Sequence, residues 1–404
     1  MSPDIQHSDH NETIDLQQQV FRLQALLEAS RQVHETIREE EVLESALRIV
    51  VRELEMAGAA FAGTEYAYGE PIAGSPQYDG IADFPNRPWN LIADIPAFPL
   101  LDRDGKRMTE LLVAPPGGRE LTIYETDFLE GLALQAAVAL ENARNHKRNV
   151  EFARVQQDLD SARAIQRSLL PQELPDIPGY SVGFKSTTCY EVGGDYLDIV
   201  ALPDGSILMA VADVAGKGLA SAMMSVSFRS AFRAVAMSGL ALDELAARMN
   251  QHQWQEGEEA RRRYVTAIFL RLYLEKGEIE VVNAGHNPGF VIHPDGSSCE
   301  FSSTGTPLGL LPGMSYSVER CPFRAGCRLL FYTDGLTEAF RGDEEFGPER
   351  LMENFSGCKS LKADGILDAL WMAIQTFVEG GPQGDDMTAL VLCRAAELEA
   401  GVPA

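Results

Sequence analysis

The sequence lacks features that mark several large classes of protein. Its 34 Lys and Arg face 60 Asp and Glu, a formal net charge of −26, so it has no basic excess for general nucleic-acid binding or for an anionic membrane surface. No apolar run reaches the roughly 18 residues of a spanning helix, and the polar start MSPDIQHSDHNE is unlike a signal peptide. These absences predict a cytoplasmic protein that binds neither nucleic acid nor membrane.

Cysteine motifs and phosphate-binding loops are also missing. The six cysteines show no metal-ligand spacing, which favours reduced thiols over a disulfide framework and argues against zinc: Cys189, Cys299, Cys321, Cys327, Cys358 and Cys393. There is neither a phosphatase-type cysteine loop nor a Gly-x-x-x-x-Gly-Lys-Ser/Thr element. Chemistry that depends on either is therefore excluded.

Two helical patterns flank a region rich in proline and glycine. Apolar positions recur in steps of four and three over 16–37 and again over 152–169, and the second run lies in a segment free of Gly and Pro from Leu132 to Leu170. Between them, 58–128 contains short apolar pieces typical of a small sheet. The helices fit either a coiled coil between two chains, hence a homodimer, or amphipathic helices packed on their own domain.

From about Leu170 to Arg394 the pattern changes to antiparallel hairpins. Turn signals such as Pro-Asp-Gly separate apolar runs, and helix-like stretches lie at 218–239 and 361–381. Many antiparallel strands with a few amphipathic helices predict a β-sandwich covered by helices. The fold class predicted for the whole chain is α+β.

Acidic residues end several of these strands. In EVGGDYLDIV, Asp195 lies nine residues before Asp204, which is the middle of a Pro-Asp-Gly turn, and Asp213 lies nine residues after it. An antiparallel hairpin brings Asp195 and Asp213 to the same end of the ladder, each on the apolar face of its strand. Two carboxylates there repel and need a cation, unless both are solvated acids at strand ends.

Two further strand ends carry acids beside glycine. Asp334 follows an apolar strand in CRLLFYTDGLTEAF, and Asp385 and Asp386 open the last strand in GDDMTALVLC. Carboxylate and carbonyl oxygens suit Mg²⁺ or Mn²⁺. The set favours a metal site over independent surface acids.

Six motifs in order resemble the metal-dependent PPM (PP2C-like) phosphatases of the bacterial SpoIIE/RsbU branch. They span roughly 225 residues and read EVGGDYLDIV, VADVAGKGLASAMM, NAGHNPGFVI, TPLGL, FYTDGLTEAF and GDDMTALVL. The resemblance implies a β-sandwich flanked by helices that holds two Mn²⁺ or Mg²⁺ ions. It implies that Asp213 bridges the ions, that Asp195 and the Val214 carbonyl complete one site, and that Asp334 and Asp385 complete the other.

Four more residues are weaker candidates. Asp198 matches a family position but faces the opposite side of its strand from Asp195, and Asp386 competes with Asp385, which is preferred only by the resemblance. Lys217 is either a phosphate anchor at a helix start or a solvated turn lysine. His286 is either a general acid or a loop histidine that bonds its own turn.

The segments LLEASRQVHETIREEEVLESALRIVVREL and ETDFLEGLALQAAVALENARNH of the first domain resemble a GAF sensor. The resemblance implies regulation by an activating protein or a small ligand, and the alternative is a module that only dimerises. The predicted divisions are a tail and helix start at 1–21, a GAF-like domain at 22–145, a helical linker at 146–170, a phosphatase domain at 171–394 and a tail at 395–404.

The expected function is hydrolysis of phosphoserine or phosphothreonine. By resemblance, the substrate is a phosphorylated anti-sigma-factor antagonist in a partner-switching pathway for stress or development. The alternatives are a catalytically silent sensor that acts by contact and a metal-dependent nuclease, which the acidic charge disfavours.

Overall fold

The computed structural model describes residues 23–69, 95–257, 262–358 and 362–395 of the 404-residue chain. The chain divides into two units, Met1–Val155 and Gln156–Ala404. The start of the first predicted apolar stripe, at Leu16 and Val20, lies outside the described residues, as does most of the predicted C-terminal tail.

Among its described residues, the first unit contains a four-stranded antiparallel sheet, two helices and the first part of a third. The sheet order is β2-β1-β4-β3, and one buried core joins its strands to the helices. Helix α1 covers 23–34, and its stripe residues Leu23 and Leu27 are exposed. This arrangement confirms the small sheet predicted between helices. The other bounds are α2 Glu39–Glu53, β1 Gly58–Phe61, β2 Ala67–Gly69, β3 Ala97–Leu101 and β4 Arg107–Ala114.

Helix α3 runs without interruption from Ile123 to Leu169. A capping box starts it: the Thr122 N–H donates to Glu125 Oε2 at 2.8 Å, and the Glu125 N–H donates to Thr122 Oγ1 at 3.2 Å. Pro171 follows its end and cannot continue a helix. The predicted continuous helix is confirmed, although it begins earlier than Leu132.

Two five-stranded antiparallel sheets make up most of the second unit. Their orders are β11-β10-β13-β16-β5 and β12-β9-β8-β7-β6. The strands are β5 Tyr180–Thr187, β6 Tyr196–Ala201, β7 Ile207–Val214, β8 Val265–Tyr273, β9 Glu278–Ala284, β10 Gly289–Ile292, β11 Ser298–Phe301, β12 Glu319–Pro322, β13 Arg328–Tyr332, β14 Phe340–Arg341, β15 Glu344–Glu345 and β16 Met387–Arg394. The short β14 and β15 pair only with each other.

Three apolar layers hold this unit together. Residues such as Met209 and Phe331 fill the space between the sheets, while the opposite strand faces pack under helices on each side. The predicted sandwich with helical covers is therefore confirmed. The helices are α4 Leu219–Ala236, α5 Leu242–Gln255, α6 Gly347–Gly357 and α7 Ala363–Val378. Among the described residues, no helix has the length and apolar character needed to cross a bilayer.

Candidate metal centre

The hairpin of β6 and β7 positions the first two acids. Tyr196 pairs with Ala212 and Ala201 with Ile207, a register whose next step sets Asp195 against Asp213. Alternate residues of both strands lie in the core between the sheets. The predicted hairpin is confirmed, and both carboxylates lie at the end of its buried face.

Strands β13 and β16 bring the other acids to the same edge. Tyr332 pairs with Ala389, so Asp334 just after β13 lies beside the pair that precedes β16. A Cβ at Gly335 would lie 2.0 Å from the backbone oxygen of Asp386, so only glycine permits this approach.

The electrostatic interactions show that these acids form one cluster. Burial, and then the charge of Asp213, raises the pKa of Asp195 well above its ordinary value. Burial and the charges of Asp334, Asp385 and Asp386 raise the pKa of Asp213 to about 7. Burial and then Asp385 raise the pKa of Asp334. Carboxylates that disfavour one another's charge in this way are stabilised by a cation.

The glycine pair before Asp195 allows the backbone to pack tightly around the cluster. A Cβ at Gly194 would lie 2.9 Å from the Val214 carbonyl oxygen and 3.4 Å from Asp213 Oδ1. A Cβ at Gly193 would lie 2.3 Å from Asp386 Oδ2. The Val214 carbonyl thus lies near the Asp213 carboxylate, where the family resemblance implies a backbone ligand.

The two adjacent acids Asp385 and Asp386 have different partners. Asp386 accepts the backbone N–H of Cys189 at 2.8 Å and that of Gly194 at 2.7 Å. Its carboxylate thus holds the loop that contains Gly193 and Gly194, which is called the glycine loop below. Asp385 Oδ2 instead lies 2.8 Å from Lys217 Nζ. This difference favours Asp385 as the residue whose carboxylate serves the cluster.

Lys217 forms an ion pair with Asp385 at the edge where the acids lie. Besides its ion pair with Asp385, its ammonium donates to the Gly384 carbonyl at 2.7 Å. It is half-exposed, and its charge opposes the rise in the pKa of Asp213. Lys217 therefore offsets part of the negative charge at this edge.

Two of the weaker candidates, Asp198 and His286, have bonding partners other than the four acids. Asp198 is fully buried on the opposite strand face, where Arg233 donates to both its oxygens at 2.6 and 2.8 Å and the Tyr196 hydroxyl donates at 2.7 Å. Its contacts are those of an anchor for α4.

Burial lowers the pKa of His286 to about 4, and its Nδ1 lies 2.9 Å from Thr266 Oγ1. Neutral imidazole is a much weaker proton donor than imidazolium, so this environment favours the loop histidine over the general acid.

Sequence reasoning missed three residues that support the cluster. The buried Thr333 hydroxyl donates to Asp195 Oδ2 at 2.8 Å. Near the end of α3, the Gln166 amide donates to the Gly193 carbonyl at 2.7 Å and accepts the Gly193 N–H at 3.1 Å. Arg163 donates to the Glu191 carbonyl at 2.6 Å. The available signal was Gln166 itself, a polar residue in an otherwise apolar stripe.

The donor chemistry fits hard divalent ions. Carboxylates of the β6–β7 hairpin and of the adjoining ends of β13 and β16 lie with one backbone carbonyl at a partly buried edge, and such oxygens are the ligands that Mg²⁺ and Mn²⁺ prefer. Cations there would relieve the repulsion that raises the pKa values of Asp195, Asp213 and Asp334.

Comparison with known proteins assigns this part of the chain. Residues 203–395 match the family described as Stage II sporulation protein E (SpoIIE). The C-terminal unit is a SpoIIE-type domain. A second family model, described as the PE-PPE domain, matches residues 45–99, a stretch that the structure describes only in part.

Individual relatives each match part of the chain. Protein IcfG of Synechocystis is 26% identical over 263 residues, which cover 59% of this chain and 41% of the relative. Phosphoserine phosphatase RsbP of Bacillus subtilis is 26% identical over 184 residues, 45% of each chain. The chain thus spans about half the length of the curated relatives it matches. The SiaA-PP2C domain of Pseudomonas aeruginosa has the same fold, with a TM-score of 0.53 and 20% identity over 60% of this chain and 97% of that one.

Proposed function

We propose that the SpoIIE-type domain is a metal-dependent phosphatase that acts on phosphoserine or phosphothreonine in proteins. The observation that carries the proposal is the meeting of Asp195, Asp213, Asp334 and Asp385 at one edge of the sandwich. The similarity to a relative named phosphoserine phosphatase supports the same chemistry.

Each acid has a proposed task in this centre. Asp213 would bridge two ions, Asp195 and the Val214 carbonyl would hold one, and Asp334 and Asp385 the other. When bound, two such ions supply an activated water for in-line attack on a phosphoester and neutralise charge on the transferred group.

The surrounding residues keep the ligands in place. The hydrogen bond from Thr333 fixes one oxygen of Asp195, and the ion pair with Lys217 orients Asp385. Asp386 holds the glycine loop through two backbone N–H groups. Preorganised ligands of this kind reduce the energy spent on rearrangement when ions and substrate bind.

The test is Mn²⁺-dependent hydrolysis of p-nitrophenyl phosphate and of a phosphoserine peptide. We expect Asp213→Asn to lose at least a hundredfold in turnover and to weaken Mn²⁺ binding in calorimetry, because the bridging ligand is lost. The matched control is Asp204→Asn, which changes an acid at the far turn of the same hairpin, bonded only to Ser206 among the hydrogen bonds resolved there. Equal activity in wild type and Asp213→Asn would refute the proposed centre.

We further propose that the substrate is a phosphorylated anti-sigma-factor antagonist in a partner-switching pathway, as the sequence resemblance implies. The catalytically silent alternative makes a different prediction in the same assay. A protein that binds Mn²⁺ but hydrolyses neither substrate, alone or with its partner, would act by contact only.

Regulation through α3 and pairing of two chains complete the proposal. Phe152 and Val155 are exposed on α3, and Leu159 continues their stripe. Replacing all three with polar residues should abolish pairing and change turnover, because the end of the same helix is bonded to the glycine loop. Light scattering and Mn²⁺ titration would follow both effects. Unaltered turnover and oligomeric state would exclude this role for the stripe.

A further inference from the structure

A cluster of one histidine and three cysteines lies at the other end of the sandwich from the acids. His293 Nε2 is 3.3 Å from Cys299 Sγ and 3.8 Å from Cys321 Sγ, and the two sulfurs are 3.4 Å apart. Cys327 Sγ lies 3.3 Å from the other ring nitrogen, Nδ1. Cys327 immediately precedes β13 and Asp334 follows its end, so the strand separates this cluster from the acid cluster. Three cysteines that show no ligand spacing in the sequence are therefore brought together by the fold.

We propose that His293, Cys299 and Cys321 bind a thiophilic divalent cation of the Zn²⁺ class. Their ligand atoms all lie within 4.8 Å of one another. In a tetrahedral zinc site with bonds of about 2.3 Å to sulfur and 2.0–2.1 Å to nitrogen, ligand atoms lie roughly 3.5–3.8 Å apart. The observed separations of 3.3, 3.4 and 3.8 Å are close to those edges. Water would complete the coordination.

Cys327 has a supporting task in this site. With the Nδ1 proton of His293 directed to Cys327 Sγ, the lone pair of Nε2 faces the sulfurs of Cys299 and Cys321. Bonds of this kind to the remote ring nitrogen fix the tautomer of histidine ligands and raise their basicity. Cys327 is fully buried, so this partner is held in place by the core.

The position of the ligands indicates a structural task for the cation. His293 and Cys299 belong to the turn and edge strand of the β10–β11 hairpin, whereas Cys321 lies on β12, the edge strand of the other sheet. One ion would therefore join the exposed edges of both sheets. Binding to the folded state alone stabilises that state by mass action.

Ligand chemistry separates this site from the acid cluster. Thiolate and imidazole favour zinc and other soft ions, whereas carboxylates and carbonyls favour Mg²⁺ and Mn²⁺. Co²⁺ is a suitable probe because thiolate ligands give it a charge-transfer absorption that oxygen ligands do not. The signal therefore reports the sulfur site even when ions also occupy the acids.

The experiment uses the full chain, reduced and stripped of metal, titrated with Co²⁺ and then Zn²⁺. We expect one equivalent of thiolate-bound Co²⁺ that Zn²⁺ displaces, and a rise in unfolding temperature on adding Zn²⁺. Cys299→Ser and Cys321→Ser should each weaken binding more than a hundredfold, and Cys327→Ser about 10- to 100-fold. Cys358→Ser, a buried cysteine outside the cluster, is the matched control.

Several outcomes would overturn the proposal. One is the absence of a charge-transfer band in the folded wild type. Another is Zn²⁺ binding that is as tight in Cys299→Ser and Cys321→Ser as in the wild type, because the ion would then be bound at the acid cluster. A third is a Cys299–Cys321 disulfide that re-forms in place of metal binding. Cys299 is half-buried on an edge strand, so circular dichroism can verify that its serine variant is folded before metal is added.

Discussion

The contact between α3 and the glycine loop can be tested by Gln166→Ala. The substitution removes both hydrogen bonds to Gly193, at 2.7 and 3.1 Å, and keeps the helix because alanine is a strong helix former. Neutral hydrogen bonds contribute about 0.5–1.5 kcal/mol each, so the loop loses about 1–3 kcal/mol of support. That range corresponds to a roughly 5- to 150-fold change in the equilibrium ratio of ordered to disordered loop.

The expected signature is a change in metal affinity. If ions bind only when the loop holds Asp195 in place, the apparent dissociation constant for Mn²⁺ equals the intrinsic constant divided by the fraction of molecules with an ordered loop. Mn²⁺ titrations of p-nitrophenyl phosphate hydrolysis should therefore shift to higher Mn²⁺ by about 5-fold or more, while saturating Mn²⁺ restores much of the turnover. Calorimetry should show the same shift without substrate.

Gln157→Ala is the matched control, since Gln157 is exposed on the same helix. It should leave the Mn²⁺ titration unchanged. If Gln166→Ala also leaves Mn²⁺ affinity and turnover unchanged, the loop is held without the helix, and the proposed route from α3 to the centre is refuted.

Three other substitutions test the structure around these sites. Arg233→Met should lower the free energy of unfolding by about 3–5 kcal/mol in urea denaturation, because it leaves the buried Asp198 carboxylate without its cation; a loss under 1 kcal/mol would contradict this. Glu125→Gln should lower the free energy of unfolding by about 1–2 kcal/mol at pH 7, because the half-exposed Arg119 holds the pKa of Glu125 at about 2. The difference from wild type should fade as the pH drops from 4.5 towards 2. A difference independent of pH would exclude the ion pair as its cause. Gly335→Ala should destabilise the domain by about 1–3 kcal/mol and weaken Mn²⁺ binding, since the new Cβ would clash with the Asp386 backbone. Normal Mn²⁺ affinity would contradict the close approach of Gly335 to Asp386.

The sequence alone allowed prediction of the pair Asp195 and Asp213 because their geometry is local. A Pro-Asp-Gly turn sets the register of the hairpin, and the alternation of side chains then assigns each acid to a face. The choice between Asp385 and Asp386 was not local in this sense. It depends on the backbone N–H groups of Cys189 and Gly194, which only the folded chain brings near.

Long-range pairing also explains which features the sequence did not indicate. Asp198 was placed on the correct strand face, but its partner Arg233 lies 35 residues further along the chain, on α4. Burial by the core lowers the pKa of His286, and no neighbour in sequence indicates that burial. Cys299, Cys321 and Cys327 lack ligand spacing because separate strands, rather than one loop, bring them together.

The contacts at the end of α3 limit how strongly that helix can regulate the centre. Its described bonds to the loop are the two from Gln166 and those from Arg163 to the carbonyls of Glu191 and Tyr190. A displaced helix changes the equilibrium of the loop only by the free energy that these bonds contribute in one position and not in the other. At about 1 kcal/mol per bond, four bonds together correspond to a change of roughly a thousandfold. Regulation through α3 therefore requires that most of these bonds break together, which favours a rotation or shift of the whole helix end over the loss of a single contact.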